Sequence, residues 1–472
     1  MTTLRFHGSA AVLLLPLALF VAVTAMLFIS EAAFDLTGLA AAGVLTLFSG
    51  SLLAKSPSEY WKAAVRGASS ELTGTVVLIL IASGIFSAMM KASGVADGLV
   101  FLGGMLHLTG HAFTVFVLLA SSLMAAATGS SIGTLLAAMP IFFPAGVALG
   151  ADPAMLAGAV LSGAIFGDNL APVSDVTVIS SVTQRFRNGT PADIAGVVRT
   201  RLPYAMIALA VSLPVYAFMG ESRPVSEAAL SGDASALLML VPVAVLIAVA
   251  VKTRDVLMAI SAGVVTGTAT GLLIGRLSFA TIFAADDGRL SGFLISGISN
   301  VSPIILLCVT LFAFTGIVRE AGVPDMMAKA LEAGSAGRPS ALRTELFLSA
   351  ATLVVTTLFA AVTSASVALV GSLTDDIGRA SNVHPYRRSH ILSGLANSLP
   401  VLMPFSAFVL ITMAAVSGLE GAAAVTPFTL MTAAFYPIAL FLVFGFMVLT
   451  GTGRMMETPE PEAAEAKTAT AL

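Results

Sequence analysis

The stretch Gly167-Asp168-Asn169-Leu170-Ala171-Pro172-Val173-Ser174-Asp175 places two carboxylates, an amide and a proline inside an otherwise apolar run. No Lys or Arg occurs between Ala92 and Gln184 to neutralise these acids. Because an ionisable group in hydrocarbon is costly, such a carboxylate is by default a functional-site hypothesis. The stretch therefore predicts a site for a cation or a proton in a membrane protein.

The composition of the whole chain also indicates a membrane protein. Hydrophobic residues make up 57% of the 472 residues and charged residues 10%, whereas a soluble domain carries about 25% charged residues. Apolar runs of the length that crosses a bilayer recur along the chain, and they are continuous rather than alternating, which excludes a β-barrel. We predict an all-α polytopic membrane protein with about 10–12 transmembrane helices, some of them broken or re-entrant.

Several classes of function are not expected from this sequence. The single cysteine, Cys308, rules out an intrachain disulfide, and no block of Lys and Arg suggests a nucleic-acid partner. No phosphate-binding Gly-Lys-Ser/Thr motif is present, so ATP-driven pumping is not expected. We expect no enzyme activity and no cofactor, with Na⁺ and H⁺ as transported or coupling ions.

Short motifs recur in the second half of the chain. Asn169-Leu170-Ala171-Pro172-Val173 matches Asn397-Ser398-Leu399-Pro400-Val401, and Lys91–Asp97 matches Arg319–Asp325 at the same offset. In three pairs of corresponding loops, only one member of each pair carries Lys or Arg. Because cytoplasmic loops carry the basic excess, this pattern predicts two repeats of inverted topology. We divide the chain into residues 1–222, an inverted half 223–452 and a disordered cytoplasmic tail 453–472.

Basic residues also predict the orientation in the plasma membrane. Arg5, Lys55, Lys62 and Arg66 place the N-terminus in the cytoplasm, and Arg454 after the last span places the C-terminus there too. The basic residues expected in cytoplasmic loops near the two proline motifs are Arg185, Arg187, Arg199, Arg201, Arg379, Arg387 and Arg388. The expected partners are the lipid bilayer and a small cation or small organic solute, and a homodimer is compatible with the sequence.

Pro172 and Pro400 lie within apolar runs, where proline breaks or kinks a helix. Broken backbone at membrane depth persists where it is buried in protein or lines a wet cavity, and its freed carbonyls can coordinate ions. A simple proline kink is the alternative. Asn169 and Asn397, each shortly before its proline, favour a site in which the two breaks face each other.

Hydroxyl groups supply further candidate ligands, because hard cations such as Na⁺ take oxygen ligands. The candidates are Thr128, Ser130, Ser131, Thr134, Thr177, Thr363, Ser364 and Ser366. The alternative is helix packing, in which small hydroxylated residues are common, but that alternative explains the two carboxylates poorly. We expect Asp168, Asn169 and Asn397 to hold Na⁺.

Asp168 and Asp175 would share one face of a continuous helix. If both approach one site, they titrate as a coupled pair, which is what Na⁺/H⁺ exchange needs. Because Asp175 follows the break directly, it is either a ligand or a cap of the next half-helix.

Two other patterns are weaker. Gly129-Ser130-Ser131-Ile132-Gly133 fits the nucleophile elbow of serine hydrolases, but that elbow needs a strand before its turn, which an all-helical chain does not offer. His107 and His111 have helical spacing, and an interfacial pair is favoured over a metal site or a pH sensor.

The motif Gly163–Thr177, together with Thr128–Thr134 and Asn397–Pro400, resembles the NhaC family of sodium/proton antiporters within the wider ion-transporter superfamily. The resemblance implies secondary transport through a central site of broken helices in antiparallel repeats. In that family the first motif commonly continues as Ser-Pro-x-Ser-Asp-Thr-Thr, whereas this chain has Ala171 and Val176 at the first serine and first threonine.

The leading prediction is exchange of Na⁺ for H⁺ through a carboxylate at the midplane of the membrane. The alternative is Na⁺- or proton-coupled transport of an organic acid or amino acid, which relatives in the superfamily carry out. A carboxylate-binding pocket would need a cation, and the basic-free run from Ala92 to Gln184 argues against one in the first half.

Overall fold

The computed structural model describes residues 4–8, 10–26, 36–223, 225, 233–253, 255–286, 289–323 and 340–457. Nine helices in these ranges are long and apolar enough to cross a membrane, or up to eleven if each of two bent pairs counts as one span. The prediction of an all-α polytopic membrane protein is confirmed. Sequence reasoning missed a short antiparallel hairpin, Ala284–Asp286 with Arg289–Ser291.

Twenty α-helices are numbered along the described residues. They are α1 (Leu14–Ala25), α2 (Leu36–Leu53), α3 (Pro57–Ala68), α4 (Glu71–Ser93), α5 (Val95–Met105), α6 (Gly110–Thr128), α7 (Ser131–Ala148), α8 (Pro153–Leu170), α9 (Asp175–Val182), α10 (Ile194–Phe218), α11 (Leu240–Thr253), α12 (Val256–Leu273), α13 (Phe279–Ile282), α14 (Phe293–Glu320), α15 (Ala341–Leu358), α16 (Thr363–Ala380), α17 (Pro385–Ala396), α18 (Ala407–Val416), α19 (Pro427–Ala433) and α20 (Phe435–Thr450). Four 3₁₀ turns accompany them at Ala10–Leu13, Ala234–Met239, Leu399–Leu402 and Ala422–Ala424.

One succession of helices occurs twice. In the first half, the hairpin of α6 and α7 is followed by the broken pair of α8 and α9; in the second half, the hairpin of α15 and α16 is followed by the broken pair of α17 and α18. Helices α7, α8 and α9 begin with the same spacing along the chain as α16, α17 and α18. This succession agrees with an internal repeat, while its inverted orientation stays a prediction.

The two breaks differ in shape. Helix α8 ends at Leu170, Pro172 lies in the non-helical residues that follow, and α8 and α9 together form one apolar span of 30 residues. After α17, Pro400 lies in a 3₁₀ turn, and α18 departs at an angle of 52°. Both breaks leave backbone groups without partners inside their helices, as helix ends do.

The start of the predicted tail is held in place by hydrogen bonds. The backbone N–H of His384 donates to the Met455 carbonyl over 3.1 Å, and that of Glu457 donates to the Asn382 carbonyl over 2.8 Å. The ordered chain therefore extends past residue 453, where the tail was predicted to begin. Residues 458–472 lie outside the described residues.

Candidate functional site

The turn between α6 and α7 forms one wall of the site. Gly129 has a φ of +69°, a conformation that glycine adopts at little cost. The side chain of Ser130 then caps α7 by accepting a hydrogen bond from the Gly133 N–H over 3.1 Å. Because this turn joins two helices, it does not have the strand-to-helix geometry of a nucleophile elbow.

Close helix packing brings Asp168 to this turn. A Cβ atom on Gly167 would lie 2.2 Å from the Ser122 carbonyl oxygen, so α8 can approach α6 only because residue 167 is glycine. The Asp168 side chain is 4% exposed, and the Ser131 hydroxyl donates to its Oδ2 over 3.2 Å. Among the described residues, this carboxylate forms no ion pair. The structure thus brings together two of the predicted residues, Ser131 and Asp168.

Arg201 was expected in a cytoplasmic loop, and the structure corrects that expectation. Helix α10 begins at Ile194, capped by the side chain of Asp193, so Arg201 lies within the helix and is fully buried. Its Nη1 donates to the Asn169 carbonyl over 2.8 Å and to Thr177 Oγ1 over 3.2 Å. A guanidinium therefore joins the two sides of the first break. The signal that could have found it is the Asp193 cap, which starts the helix ahead of Arg201.

Asn169 connects both halves of the chain. Its Oδ1 accepts from Arg201 Nη1 over 3.4 Å and from the Ser393 hydroxyl of α17 over 3.3 Å. Its Nδ2 donates to the Tyr436 hydroxyl of α20 over 3.3 Å. Because an amide oxygen has two lone pairs, Asn169 Oδ1 is fully used by protein donors in this conformation. Its proposed role as a Na⁺ ligand stays a prediction.

Helix α17, which precedes the second break, contacts both sides of the first break. Ser393 contacts Asn169, and the Ser389 hydroxyl donates to Ser180 Oγ of α9 over 3.0 Å. Asn397 lies one helical turn beyond Ser393 and is 1% exposed. Neither its Oδ1 nor its Nδ2 has a hydrogen-bond partner within the described ranges. An unpartnered buried amide is unusual, and it marks a place where a ligand would find both a donor and an acceptor.

Asp175 and Thr177 have different surroundings although both lie at the start of α9. Asp175 is exposed, it is the first residue of the helix, and the residue that precedes the helix is Ser174. A carboxylate in a first turn is stabilised by the helix dipole. Thr177 is fully buried and accepts from Arg201. Pro172 is exposed in the break between them and Asp168.

The Thr/Ser cluster of the second half lies at the start of α16. Ala360 and Ala361, just before it, have φ angles of +51° and +59°, a strained conformation for alanine. The carbonyl of Ala360 accepts from the N–H of Ala407, the first residue of α18, over 2.8 Å. This strained turn is thus tied to the second break. Within the cluster, Thr363 and Ser366 are buried and Ser364 is half-buried, and Ser366 Oγ donates to the Val362 carbonyl over 2.9 Å.

Thr128 and Thr134 line a small, partly open pocket between the first hairpin and helices α11 and α12. The Thr128 hydroxyl also donates to the Met124 carbonyl over 2.9 Å. The remaining lining is apolar apart from Gly133, and it consists of Met124, Ala137, Leu246, Ile247, Ala250, Val256, Ala259 and Ile260. Thr128 and Thr134 therefore border a largely apolar space, and their role as cation ligands stays a prediction.

Arg387 and Arg388 are not surface anchors, contrary to the expectation from their positive charge. Both side chains are fully buried at the start of α17. Arg387 pairs with Glu345 over 2.9 Å, and Arg388 pairs with Asp375 over 2.8 Å. Glu345 also pairs with Arg454 over 2.9 Å, which attaches the segment after α20 to α15. These arginines hold elements together, and each is ion-paired with a carboxylate.

Asp193 and Arg454, which lie outside the spans, have shifted pKa values. Asp193 accepts from the Tyr386 hydroxyl and from the Gly196 N–H, and these hydrogen bonds lower the pKa of its carboxyl. A hydrogen bond from Arg454 to Glu345 raises the pKa of Arg454.

The two histidines considered as a pair lie near the turn between α5 and α6. His107 follows the end of α5 and has a φ of +53°. His111 Nε2 lies 3.2 Å from the Gly220 carbonyl oxygen.

The chain is similar to two solved transporter structures, although the likeness is weak. The YdaH transporter of Alcanivorax borkumensis aligns with a TM-score of 0.39 at 13% identity, covering 83% of this chain and 88% of that one. MtrF of Neisseria gonorrhoeae, described as illuminating a class of antimetabolite efflux pumps, aligns with a TM-score of 0.35 at 11% identity, covering 80% and 84%.

Curated relatives are antiporters of several kinds. The chain is 31% identical over 176 residues to the malate-2H⁺/Na⁺-lactate antiporter of Bacillus subtilis, covering 37% of this chain and 36% of the relative. It is 28% identical over 280 residues to the Na⁺/H⁺ antiporter NhaC of Alkalihalophilus pseudofirmus, covering 54% and 58%. It is 28% identical over 208 residues to the arginine/ornithine antiporter ArcD of Halobacterium salinarum, covering 41% and 42%. The chain thus matches between about a third and three-fifths of these relatives' length.

A family model matches the first half of the chain. The model described as the Na⁺/H⁺ antiporter family matches residues 3–221, which include Asp168, Ser131 and Arg201. The resemblance stated from the motifs Thr128–Thr134 and Gly163–Thr177 is confirmed over this range. Residues 3–221 are therefore similar to the Na⁺/H⁺ antiporter family.

Proposed function

We propose that the protein is a secondary active transporter that exchanges Na⁺ for H⁺ through Asp168. The observation that carries this proposal is the buried Asp168 carboxylate near a break in an apolar span. It accepts a hydrogen bond from the Ser131 hydroxyl and forms no ion pair with any residue that the structure describes. Such a group requires a positive partner or a proton, because an isolated charge is costly at membrane depth. Binding either Na⁺ or H⁺ at one carboxylate makes the two ions compete, and competition at one site is the basis of exchange.

The surroundings of Asp168 support a cation site. Ser131 supplies a hydroxyl oxygen, and the break after Leu170 frees backbone carbonyls, both of which are ligands that Na⁺ accepts. The unpartnered amide of Asn397 adds an oxygen at the opposing break. Movement of the two breaks relative to each other would expose this site to one side of the membrane and then to the other.

We further propose that the protein lies in the plasma membrane with both termini in the cytoplasm, as the basic residues indicate. A homodimer remains part of this proposal and is tested by the mass of the purified protein in detergent. The similarity to named antiporters supports the transport class, and each relative matches only over part of its length.

A second candidate function is coupled exchange of a small organic acid or amino acid. The relatives named for malate and lactate, and for arginine and ornithine, handle solutes that carry carboxylates. The specific observation in favour is Arg201, because the sequence argument against such a pocket was the lack of a cation in the first half. That cation lies in the core, beside Asn169.

The experiment that tests the leading proposal is a pH-gradient assay in proteoliposomes. An outward-directed proton gradient is established, and Na⁺, Li⁺ or K⁺ is added outside. Proton movement triggered by Na⁺ supports cation exchange through this protein. Proton movement that appears only after an organic acid or amino acid is added would overturn it in favour of the second candidate.

A further inference from the structure

Arg201 has one edge that its protein partners barely use. Its Nη1 donates to Asn169 and Thr177, as described above. Its Nε has no hydrogen-bond partner among the described residues, and its Nη2 has a single long contact of 3.5 Å to Ser180 Oγ. The side chain is fully buried. A buried N–H without an acceptor costs free energy, so the Nε–Nη2 edge is a place where a ligand atom would stabilise the protein.

Other arginines of this chain show what the same edge binds. Nε and Nη2 of Arg387 donate to the two carboxylate oxygens of Glu345 over 2.9 and 3.2 Å. Nε and Nη2 of Arg454 donate to the same two oxygens over 3.2 and 2.9 Å. Arg66 binds Glu320 in the same way. This side-on, bidentate geometry is the strong form of the arginine–carboxylate interaction.

Arg201 differs from these residues because no carboxylate among the described residues lies at hydrogen-bond distance from it. Its partners are a backbone carbonyl, an amide and hydroxyl groups, all of them neutral. Arg388 is the useful comparison: its Nε is also unpartnered, yet its Nη1 lies 2.8 Å from an Asp375 oxygen. A buried cation held only by neutral groups favours an anion, and its fork shape favours a planar carboxylate over a spherical ion.

The position of Arg201 links such an anion to the exchange site. Arg201 donates to Asn169, the residue next to Asp168, and to Thr177 on the far side of the first break. An anion on the free edge would therefore rest on the same broken segment as the Asp168 carboxylate. The structure is closed around Arg201, so the anion would enter in a conformation in which the two breaks have moved apart.

We propose that the Nε–Nη2 edge of Arg201 binds the carboxylate of a small organic anion that this protein transports. The proposal rests on the proposed function, since it makes the exchanger a carrier of an organic anion in addition to a cation or proton. It assigns recognition of the solute to Arg201 and leaves Asp168 as the carrier of the cation or proton.

The test measures binding directly, in the purified full-length protein in detergent. The probes are succinate, L-glutamate and glycolate, and the uncharged control is succinamide. Isothermal titration gives the affinity for the wild type and for the variants Arg201→Gln, Arg201→Lys, Arg388→Lys and Asp168→Asn. We expect at least one anion to bind the wild type while succinamide does not. Arg201→Gln should abolish binding, and Arg201→Lys should weaken it by about tenfold, because lysine keeps the charge and loses the fork.

The controls separate recognition from structure and from cation exchange. Arg388→Lys changes a buried arginine that is ion-paired with Asp375, and this variant should bind the anion as the wild type does. Asp168→Asn should also retain anion binding while losing Na⁺-driven proton movement. If no anion binds the wild type, or if Arg201→Gln binds with wild-type affinity, the proposal is overturned. If Arg201→Gln does not fold, equal affinities of Arg201→Lys and Arg388→Lys overturn it.

The two proposals can also fail separately. If anions bind through Arg201 but Na⁺ drives no proton movement, the proposed exchange of Na⁺ for H⁺ is overturned and the role of Arg201 stands. If Na⁺ drives proton movement but none of the anion probes binds, the role of Arg201 is overturned and the proposed exchange of Na⁺ for H⁺ stands.

Discussion

The hydroxyl of Ser131 lies 3.2 Å from the carboxylate of Asp168, so the turn of the first helix hairpin is joined to the end of the first broken helix. Ser131 is the first residue of α7, and Asp168 lies in the last turn of α8. A shift of one helix relative to the other changes this contact directly. The carboxylate is therefore placed where movement between helices can alter its affinity for an ion.

The first prediction concerns the close contact that positions Asp168. Gly167→Ala would place a Cβ atom 2.2 Å from the Ser122 carbonyl oxygen, which is backbone and has little freedom to move. We expect a loss of about 1–3 kcal/mol in the free energy of unfolding, typical of an overpacked core, together with loss of exchange activity. Thermal unfolding in detergent measures the first and the proteoliposome assay the second.

Gly445→Ala is the matched control for that prediction. A Cβ atom on this helical glycine would meet no heavy atom within 4 Å, and alanine is the better helix former. We expect unchanged or slightly higher stability. If the two variants were equally stable, the tight packing of α8 on α6 would not be what holds Asp168 in place.

The second prediction concerns the unpartnered amide of Asn397. Leaving a buried amide without hydrogen bonds costs about 1–3 kcal/mol, whereas leucine has a similar size and no polar atoms. Asn397→Leu should therefore leave the unfolding temperature unchanged or raise it, and it should weaken the activation of proton movement by Na⁺. A variant that is less stable and still fully active would show that Asn397 is a structural residue.

The third prediction concerns the buried ion pairs of Glu345. Glu345→Gln would leave Arg387 buried without its carboxylate and would release Arg454. Removing one partner of a buried pair costs about 3–5 kcal/mol, so the unfolding temperature should fall strongly. Glu59→Gln removes a carboxylate from an exposed pair with Lys62 and should cause no measurable change. Equal effects of the two changes would contradict the structural role given to Glu345.

The fourth prediction is a pH dependence of stability from Asp193, which caps α10 ahead of Arg201. Hydrogen bonds from Tyr386 and Gly196 lower the pKa of Asp193 in the folded state. In the unfolded state an aspartate has a pKa of about 3.9. The unfolded state binds more protons between these two pKa values. The contribution of Asp193 is therefore complete above the unfolded pKa and is lost as pH falls through the folded pKa.

Asp193→Asn separates this titration from the cap itself, because asparagine caps a helix about as well as aspartate and does not titrate in this range. Unfolding temperatures of both proteins are measured from pH 6 down to about pH 3, which spans the usual aspartate pKa. The difference in unfolding temperature between the wild type and Asp193→Asn should become smaller as the pH falls. A constant gap over the whole range would show that Asp193 does not titrate differently in the folded state.

Much of the fold can be predicted from the sequence, because the residues around the candidate site have strong local conformational preferences. The acidic residues in a basic-free apolar run point to Asp168, and Gly129 and Pro172 mark the turn and the break on either side of the candidate site. These signals act over a few residues, and long apolar helices are the segments most reliably read from sequence.

Arg201 could not be placed from the sequence because its environment depends on contacts between distant elements. A run of arginines after a proline motif is typical of a cytoplasmic loop, and only the packing of α10 against the first break buries one of them. Arg387 and Arg388 were misjudged for the same reason, since their partners Glu345 and Asp375 lie in other helices. Charge alone does not tell an anchor from a buried residue.

The central claim is that Asp168 carries the exchanged ion, and it is tested most directly by Na⁺-driven proton movement in proteoliposomes containing Asp168→Asn. Asp152→Asn is the control, because it neutralises the aspartate that caps the other end of α8 and asparagine can still accept from the Met155 N–H. Loss of proton movement with Asp168→Asn and normal movement with Asp152→Asn is the result that the claim predicts. Normal Na⁺-driven proton movement with Asp168→Asn would contradict it.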